Sequence, residues 1–309
     1  MKTDDRKLFN QLKDLKTEQR NESTKEIDLA DSLEIARLVN TEDQKVALEV
    51  EKKLPEIARA IDFIKEAFDK GGRLIYAGAG TSGRLGILDA AECPPTFGTD
   101  PAQVIGLIAG GKEAVFEAQE GSEDHEKNGR EALQKESLSP NDVVCGLAAS
   151  GRTPYVHGAL KEAAEKGCRT IFVTTVPASQ ITLEVDVLID VPVGPEVIMG
   201  STRMKSATAQ KMVLNMLTTG VMIRLGKVYE NVMVDLQLSN QKLQERAKRI
   251  IMMFANVDYA EAEKALKAAG GHVKTALVMI LGRLNREEAQ KKLDQNDGFI
   301  RKALQEINS

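Results

Sequence analysis

The chain has 309 residues, of which 28% are charged, with a formal net charge of −4, 4% aromatic residues and no Trp. A chain of this length buries a sizeable core, and its dispersed basic residues argue against nucleic acid or an anionic membrane surface as a partner. The shortage of aromatic rings removes the stacking platforms that single strands or long glycans need, so a small anionic metabolite fits better.

The first two dozen residues are polar and charged, and are expected to be loosely ordered or clamped onto a partner surface. Thr41-Glu-Asp-Gln44 has the pattern of a capping box. Apolar positions at Val46, Val50, Leu54, Ile57, Ala60 and Ile64 predict a helix kinked or restarted at Pro55 and stopped by Gly71-Gly72. Beyond it, strands at 74–77, 104–109, 143–148, 170–175 and 187–193 alternate with helices at about 83–91, somewhere within 113–135, and at 154–166. This alternation predicts an α/β fold, a parallel sheet with helices on both faces that binds ligands beyond the carboxyl ends of its strands. A long helix beginning near Ser201 carries Met204, Ala207, Val213, Leu214, Leu217, Val221 and Met222 at helical spacing, which suits a core or dimer helix. After Leu236 the composition turns charged and helical. Asp258-Tyr-Ala-Glu261 and Asn285-Arg-Glu-Glu288 read as helix starts and Gly270-Gly271 as a break, which gives a small C-terminal helical bundle. The expected organisation is an N-terminal helical segment (1–55), a sheet domain (56–228) and a C-terminal helical region (229–309).

Two glycine- and hydroxyl-rich turns carry the functional signal. Arg73-Leu-Ile-Tyr-Ala-Gly-Ala-Gly-Thr-Ser-Gly-Arg84 is a buried strand emptying into a turn and then a helix. Gly78, Gly80, Ser82 and Gly83 stand where a backbone can approach an anion. The pattern fits G-x-G-x-x-G, but the second apolar run ends in Gly110-Gly111-Lys112, without the acidic residue that grips a ribose, so dinucleotide cofactors are disfavoured. Gly106 to Lys112 resembles a P-loop, yet Glu113 stands where Ser or Thr would hold magnesium. The second turn, Ala148-Ala-Ser150-Gly151-Arg152-Thr153-Pro154, has a helix N-cap at Thr153 and Pro at the first helical position, with N–H groups expected to face the strand ends. Two such turns after strands of one sheet converge on a single phosphate.

Glu92 is expected to end the helix that starts at the first turn, because Cys93-Pro-Pro95 follows. A carboxylate at the negative end of a helix dipole is shifted toward its protonated form and suits a proton donor. The acidic run Glu117 to Glu126 holds carboxylates whose crowding raises pKa, but the residues alone do not choose among them. His125, His157 and His272 lack ligand spacing, so no metal site is expected, and no Ser lies in a G-x-S-x-G context. Cys93, Cys145 and Cys168 are odd in number and unpaired in spacing, which suits reduced thiols. The polar start Met1-Lys-Thr-Asp-Asp-Arg6 has no apolar signal core, so the expected location is the cytoplasm.

Gly78-Ala-Gly-Thr-Ser-Gly-Arg-Leu-Gly86 together with Ala148-Ala-Ser-Gly-Arg-Thr-Pro154 resembles the paired phosphate loops of the sugar isomerase (SIS) domain family. Leu85-Gly-Ile-Leu-Asp-Ala-Ala-Glu-Cys-Pro-Pro95, Ile108-Ala-Gly-Gly111, Glu120-Gly-Ser-Glu-Asp124 and Gly200-Ser-Thr-Arg-Met-Lys205 are similar, more narrowly, to the N-acetylmuramic acid 6-phosphate etherase family. That similarity runs from Thr17-Glu-Gln-Arg-Asn21 to Leu293-Asp-Gln-Asn-Asp-Gly-Phe-Ile-Arg301. The resemblance implies an SIS phosphosugar-binding domain, a homodimer, and hydrolytic removal of D-lactate from a phosphosugar without metal or other cofactor. Carried over by motif, Glu92 and Glu123 are the catalytic carboxylates. Ser82, Gly83, Ser150, Gly151, Thr153, Ser201 and Arg203 are the expected phosphate and substrate contacts. The competing expectation is a regulatory protein of the same family that senses a phosphosugar, as glucokinase regulatory protein does.

Overall fold

The computed structural model describes residues 18–238 and 240–308. Residues 1–17, most of the polar start considered above, lie outside the described residues. The chain forms two compact units, one from residues up to 90 with 102–217, the other from 91–101 with the residues from 218 onward.

In the first unit, helix α1 (Ser32–Glu51) begins at Asp31, whose side chain accepts from the Glu34 N–H. Thr41-Glu-Asp-Gln44, predicted to cap a helix start, lies instead inside α1, where Glu42 is buried against Lys205. Helix α2 (Leu54–Asp69) restarts with Pro55 in its first turn, where proline gives up an N–H that has no intrahelical acceptor. Residues 18–24 pack on the chain itself: Asn21 Nδ2 donates to the Pro195 carbonyl (3.4 Å) and Thr24 Oγ1 to that of Val197 (2.8 Å).

Five strands, β1 (Leu74–Gly78), β2 (Val104–Ile108), β3 (Val143–Leu147), β4 (Arg169–Thr174) and β5 (Val187–Asp190), form one parallel sheet in the order β2-β1-β3-β4-β5. β1 and β3 are buried throughout, which is why their sequences are apolar without alternation. The strand order reverses between β1 and β3, and Gly78 pairs with Leu147, so the turns after these two strands leave the sheet side by side at its binding crevice.

Helix α3 (Gly80–Phe97) differs from expectation at both ends. It starts at Gly80, and it runs through Pro94 and Pro95, so Glu92 is interior to it. Buried Cys93 and Phe97 hold the last turn, and the Gly98 N–H closes it on the Pro94 carbonyl (2.9 Å). Tertiary burial outweighs the proline penalty here. Helices α4 (Glu126–Gln134) and α5 (Pro154–Glu165) pack at very close range. A Cβ at Gly129 would lie 1.8 Å from the Tyr155 carbonyl oxygen, and one at Gly158 1.9 Å from that of Glu126.

Helix α6 (Lys205–Arg224) begins later than the Ser201 start predicted for it. Its cap comes from outside the local sequence: the Glu196 carboxylate accepts from the N–H groups of Lys205 and Ser206, both at 2.9 Å. Val213, Leu214, Leu217, Val221 and Met222 are fully buried, so this helix is a core helix.

The second unit contains a short hairpin, β6 (Val228–Tyr229) with β7 (Val232–Met233), and five helices among the described residues: α7 (Gln241–Ala255), α8 (Tyr259–Ala268), α9 (Val273–Gly282), α10 (Arg286–Gln295) and α11 (Ile300–Asn308). The two capping boxes predicted for this region are present, Asp258 with Glu261 and Asn285 with Glu288. Leu243, Ile251, Leu277 and Leu293 contribute to the unit's own core.

Candidate functional site

The turn after β1 is built by glycine contact. A Cβ at Gly78 would lie 2.7 Å from the Gly83 nitrogen, and one at Gly83 would lie 2.9 Å from the Gly78 carbonyl oxygen. Helix and strand therefore touch backbone to backbone. The Gly83 N–H already donates to the Ala79 carbonyl (3.1 Å), so Gly83 is a packing residue. The N–H groups of Gly80, Thr81 and Ser82 precede that first intrahelical bond and lie at the positive end of the helix dipole, where an anion is favoured.

The turn after β3 offers something different. Its N–H groups were expected to serve an anion, but the structure commits several of them internally. Gly151 donates to Ala148, Tyr155 to Glu123, and Val156 and His157 to Thr153, all at 3.0–3.1 Å. Pro154 has none. What remains are hydroxyls: Thr153 holds the N-cap position without a side-chain cap bond, and Ser150 Oγ accepts only a long bond from the Arg152 N–H (3.3 Å). The turn is held from outside. Thr175 donates to the Ala149 carbonyl through both N–H (3.1 Å) and Oγ1 (3.0 Å), and His157 Nε2–H donates to the Gly151 carbonyl (2.9 Å). Gly151, at φ +70°, has no room for a side chain: a Cβ would lie 2.3 Å from Ile181 Cδ1.

The bond from the Tyr155 N–H to the Glu123 carbonyl (3.0 Å) brings the acidic run to the start of α5 and singles out Glu123. Glu123 lines a cavity of about 130 Å³ whose other walls include Gly80, Ala109, Arg84 and Glu120. Partial desolvation there, with the like charges of Asp124 and Glu120, holds its carboxyl above the usual carboxylate range. Arg84 fixes the loop that precedes Glu123, donating through Nε to the Val115 carbonyl (2.9 Å) and through Nη2 to that of Ala114 (2.8 Å). A larger cavity of about 640 Å³ runs along edge strand β2 beside Ile87, Leu107 and Tyr155, and includes neither hydroxyl turn.

Glu92 is exposed and belongs to the α3 segment grouped with the second unit. Because α3 continues to Phe97, Glu92 does not stand at the helix end where the sequence placed it. Ser201 is half-buried and Arg203 exposed, both in turns ahead of α6. Lys205 is sequestered: its Nζ donates to Glu42 at 2.7 Å with both side chains buried. Among the described residues, no cluster of three or more His, Cys, Asp or Glu is placed to hold a metal ion, and no helix is long and apolar enough to cross a membrane.

The N-terminal SIS domain of glucokinase regulatory protein, as a family model, matches residues 56–164, the general SIS domain residues 117–220, and the C-terminal lid domain of glucokinase regulatory protein residues 230–270. The N-acetylmuramic acid 6-phosphate etherase of Salinibacter ruber is 56% identical over 98% of this chain and 97% of its own. This chain belongs to the N-acetylmuramic acid 6-phosphate etherase family. Relatives of the same name from Clostridium beijerinckii (55% identity, 96% of this chain and 98% of that protein) and Bacillus subtilis (52%, 94% and 96%) agree along nearly their whole lengths.

Three residues of this etherase-family chain have roles that its sequence does not announce. Arg84 stands in the first motif, but nothing local shows that it reaches the 114–115 carbonyls. Glu196 caps a helix that starts nine residues later in the chain. Glu42 sits 163 residues from its partner Lys205, and no sequence pattern reports such a pair.

Proposed function

We propose that this chain removes D-lactate from N-acetylmuramic acid 6-phosphate with water, leaving N-acetylglucosamine 6-phosphate. The observation that supports the reading is the bond from the Tyr155 N–H to the Glu123 carbonyl, which ties the backbone of a residue with a pKa-raised carboxylate to the helix start beside Thr153. Near-full-length identity to proteins named as etherases favours this over a purely regulatory role.

The 6-phosphate is received by the N–H groups of residues 80–82 and by the hydroxyls of Ser82, Ser150 and Thr153. Opening the sugar ring places C2 next to the C1 aldehyde and acidifies its proton. Glu123 takes that proton as the C2–H pair forms the C2–C3 double bond, and the C3–O bond breaks. A raised pKa makes an ionised carboxylate the stronger base that this step needs. Glu92 gives the lactyl oxygen its proton, and D-lactate leaves. Water then adds its oxygen at C3 while C2 regains a proton, so one water is consumed overall. Holding the phosphate fixes the reacting carbons against the base.

The active form is a homodimer. Helix α6, whose apolar spacing also suited a dimer surface, is buried within the chain, so the apolar surface for a second copy lies elsewhere; Leu33 and Leu48 of α1 are 59% and 61% exposed. Three buried free thiols suit the reducing cytoplasm, where this reading places the protein. The test is D-lactate release from N-acetylmuramic acid 6-phosphate in deuterated water. Lactate together with one deuterium at C2 of the sugar product supports the mechanism; lactate without that label sinks the elimination step, and no lactate sinks the activity.

A further inference from the structure

Resting on the activity proposed above, we infer that the cavity beside Glu123 is the seat of the substrate's lactyl group, and that Arg84 recognises its carboxylate. The cavity, about 130 Å³, is well below the roughly 300 Å³ at which sites for whole small molecules begin. It therefore takes a fragment of a sugar phosphate and leaves the ring outside. A lactyl group carries a carboxylate and a methyl on one carbon, and the wall matches both. Ala79, Ala109, Ala114 and Ala118 supply a shallow apolar side, and Arg84 is the only cation lining the cavity among the described residues. Glu120 and Glu123 line it too, so an arriving carboxylate meets like charge unless a cation answers it.

Arg84 is prepared for that role. Its bonds to the Ala114 and Val115 carbonyls occupy only part of the guanidinium's donor set and hold its plane in place. The remaining donors of a fixed fork bind a carboxylate through parallel hydrogen bonds, with less side-chain freedom left to lose. Arg203, expected from sequence to take one of the substrate's anionic groups, lines neither cavity described above and is exposed.

The experiment compares two sugars that differ only in the lactyl group. For the parent, Arg84→Gln and Ala118→Leu, one measures KM for N-acetylmuramic acid 6-phosphate and the inhibition constant of N-acetylglucosamine 6-phosphate. Ala118 is exposed, so leucine there fills the cavity without disturbing the core. Arg84→Gln is expected to raise KM for the ether roughly 10- to 100-fold, the range for a lost charged hydrogen bond, Ala118→Leu to raise it by obstructing the cavity, and both to leave the inhibition constant of the lactate-free sugar nearly unchanged. Constants that move together, or an unmoved KM, overturn the assignment. If the parent releases no D-lactate, the proposed activity falls, while calorimetric binding of the same two sugars still decides on Arg84. A preference for the lactyl sugar that survives Arg84→Gln overturns it.

Discussion

After β1 the chain enters its helix almost at once, with Gly78 and Gly83 in backbone contact. After β3 it winds through residues 148–153, braced by Thr175 and His157 from neighbouring elements. The first turn presents main-chain N–H groups and the second presents hydroxyls, because the second has spent much of its N–H complement on itself and on Glu123. A seat made of N–H groups depends on backbone shape and tolerates side-chain loss. A seat made of hydroxyls depends on particular side chains, and here it also supports the carboxylate loop. Substitutions at the two turns should therefore fail in different ways.

The largest effect falls on the second turn's partner. Glu123→Gln keeps the shape and removes the proposed base, so kcat should drop by about 10²- to 10⁴-fold with KM and melting temperature little changed. A stopped-assay kcat within a few-fold of the parent would separate the carboxylate from the chemistry. Next, Gly78→Ala should act on stability, since its Cβ would meet the backbone at 2.7–3.0 Å. Overpacking of this kind costs about 1–3 kcal/mol. Denaturant unfolding with an unchanged midpoint would contradict backbone contact as the basis of the first turn.

Smaller effects sharpen the contrast. Ser150→Ala and Thr153→Ala should each raise KM roughly 10-fold, whereas Ser82→Ala, with its N–H groups intact, should raise it only about 3-fold. Equal effects at the three positions would erase the distinction. Smallest is a shift in the acid limb of kcat/KM against pH. If Glu123 is the base, activity requires its ionised form and is lost as pH falls through its raised pKa; Asp124→Asn removes a like charge, lowers that pKa, and should move the limb to lower pH. A limb that stays in place or moves upward would mean that Glu123 is not the group being read.

Both turns, all five strands and the capping boxes at Asp258 and Asn285 were legible in the sequence, because each depends on neighbours within a few residues. Strands β1 and β3 announce themselves as apolar runs ending in glycine or small residues. What was not legible depends on distant partners. Pro94 and Pro95 read as a helix stop, but Cys93 and Phe97 are buried and carry α3 past them. Ser201 read as a helix start, but the cap is supplied by Glu196 and the helix waits until Lys205. Lys205 closes a motif that points to substrate, but its charge is paired inside the chain: burial opposes the Glu42 charge and hydrogen bonds from Lys205 and Lys45 more than offset it, holding the Glu42 carboxyl below its ordinary range. In the site itself, hydroxyls could be found by motif, while which N–H groups stay free could only be learned from where the others go.

The bond from the Tyr155 N–H to the Glu123 carbonyl makes the main chain a gauge. Under the proposed function, a phosphate on the hydroxyls beside Thr153 and a base on Glu123 would sit on stretches of backbone joined by this one hydrogen bond, so the span between their anchor points is held by peptide groups. The close α4–α5 backbone contact at Gly129 and Gly158 keeps that span from stretching. A sugar phosphorylated at another carbon would carry the same charge and hydroxyls and still offer the wrong carbon to the base. On the proposed reading, selection for the position of the phosphate rests on these main-chain anchors as well as on the hydroxyls that the second turn carries.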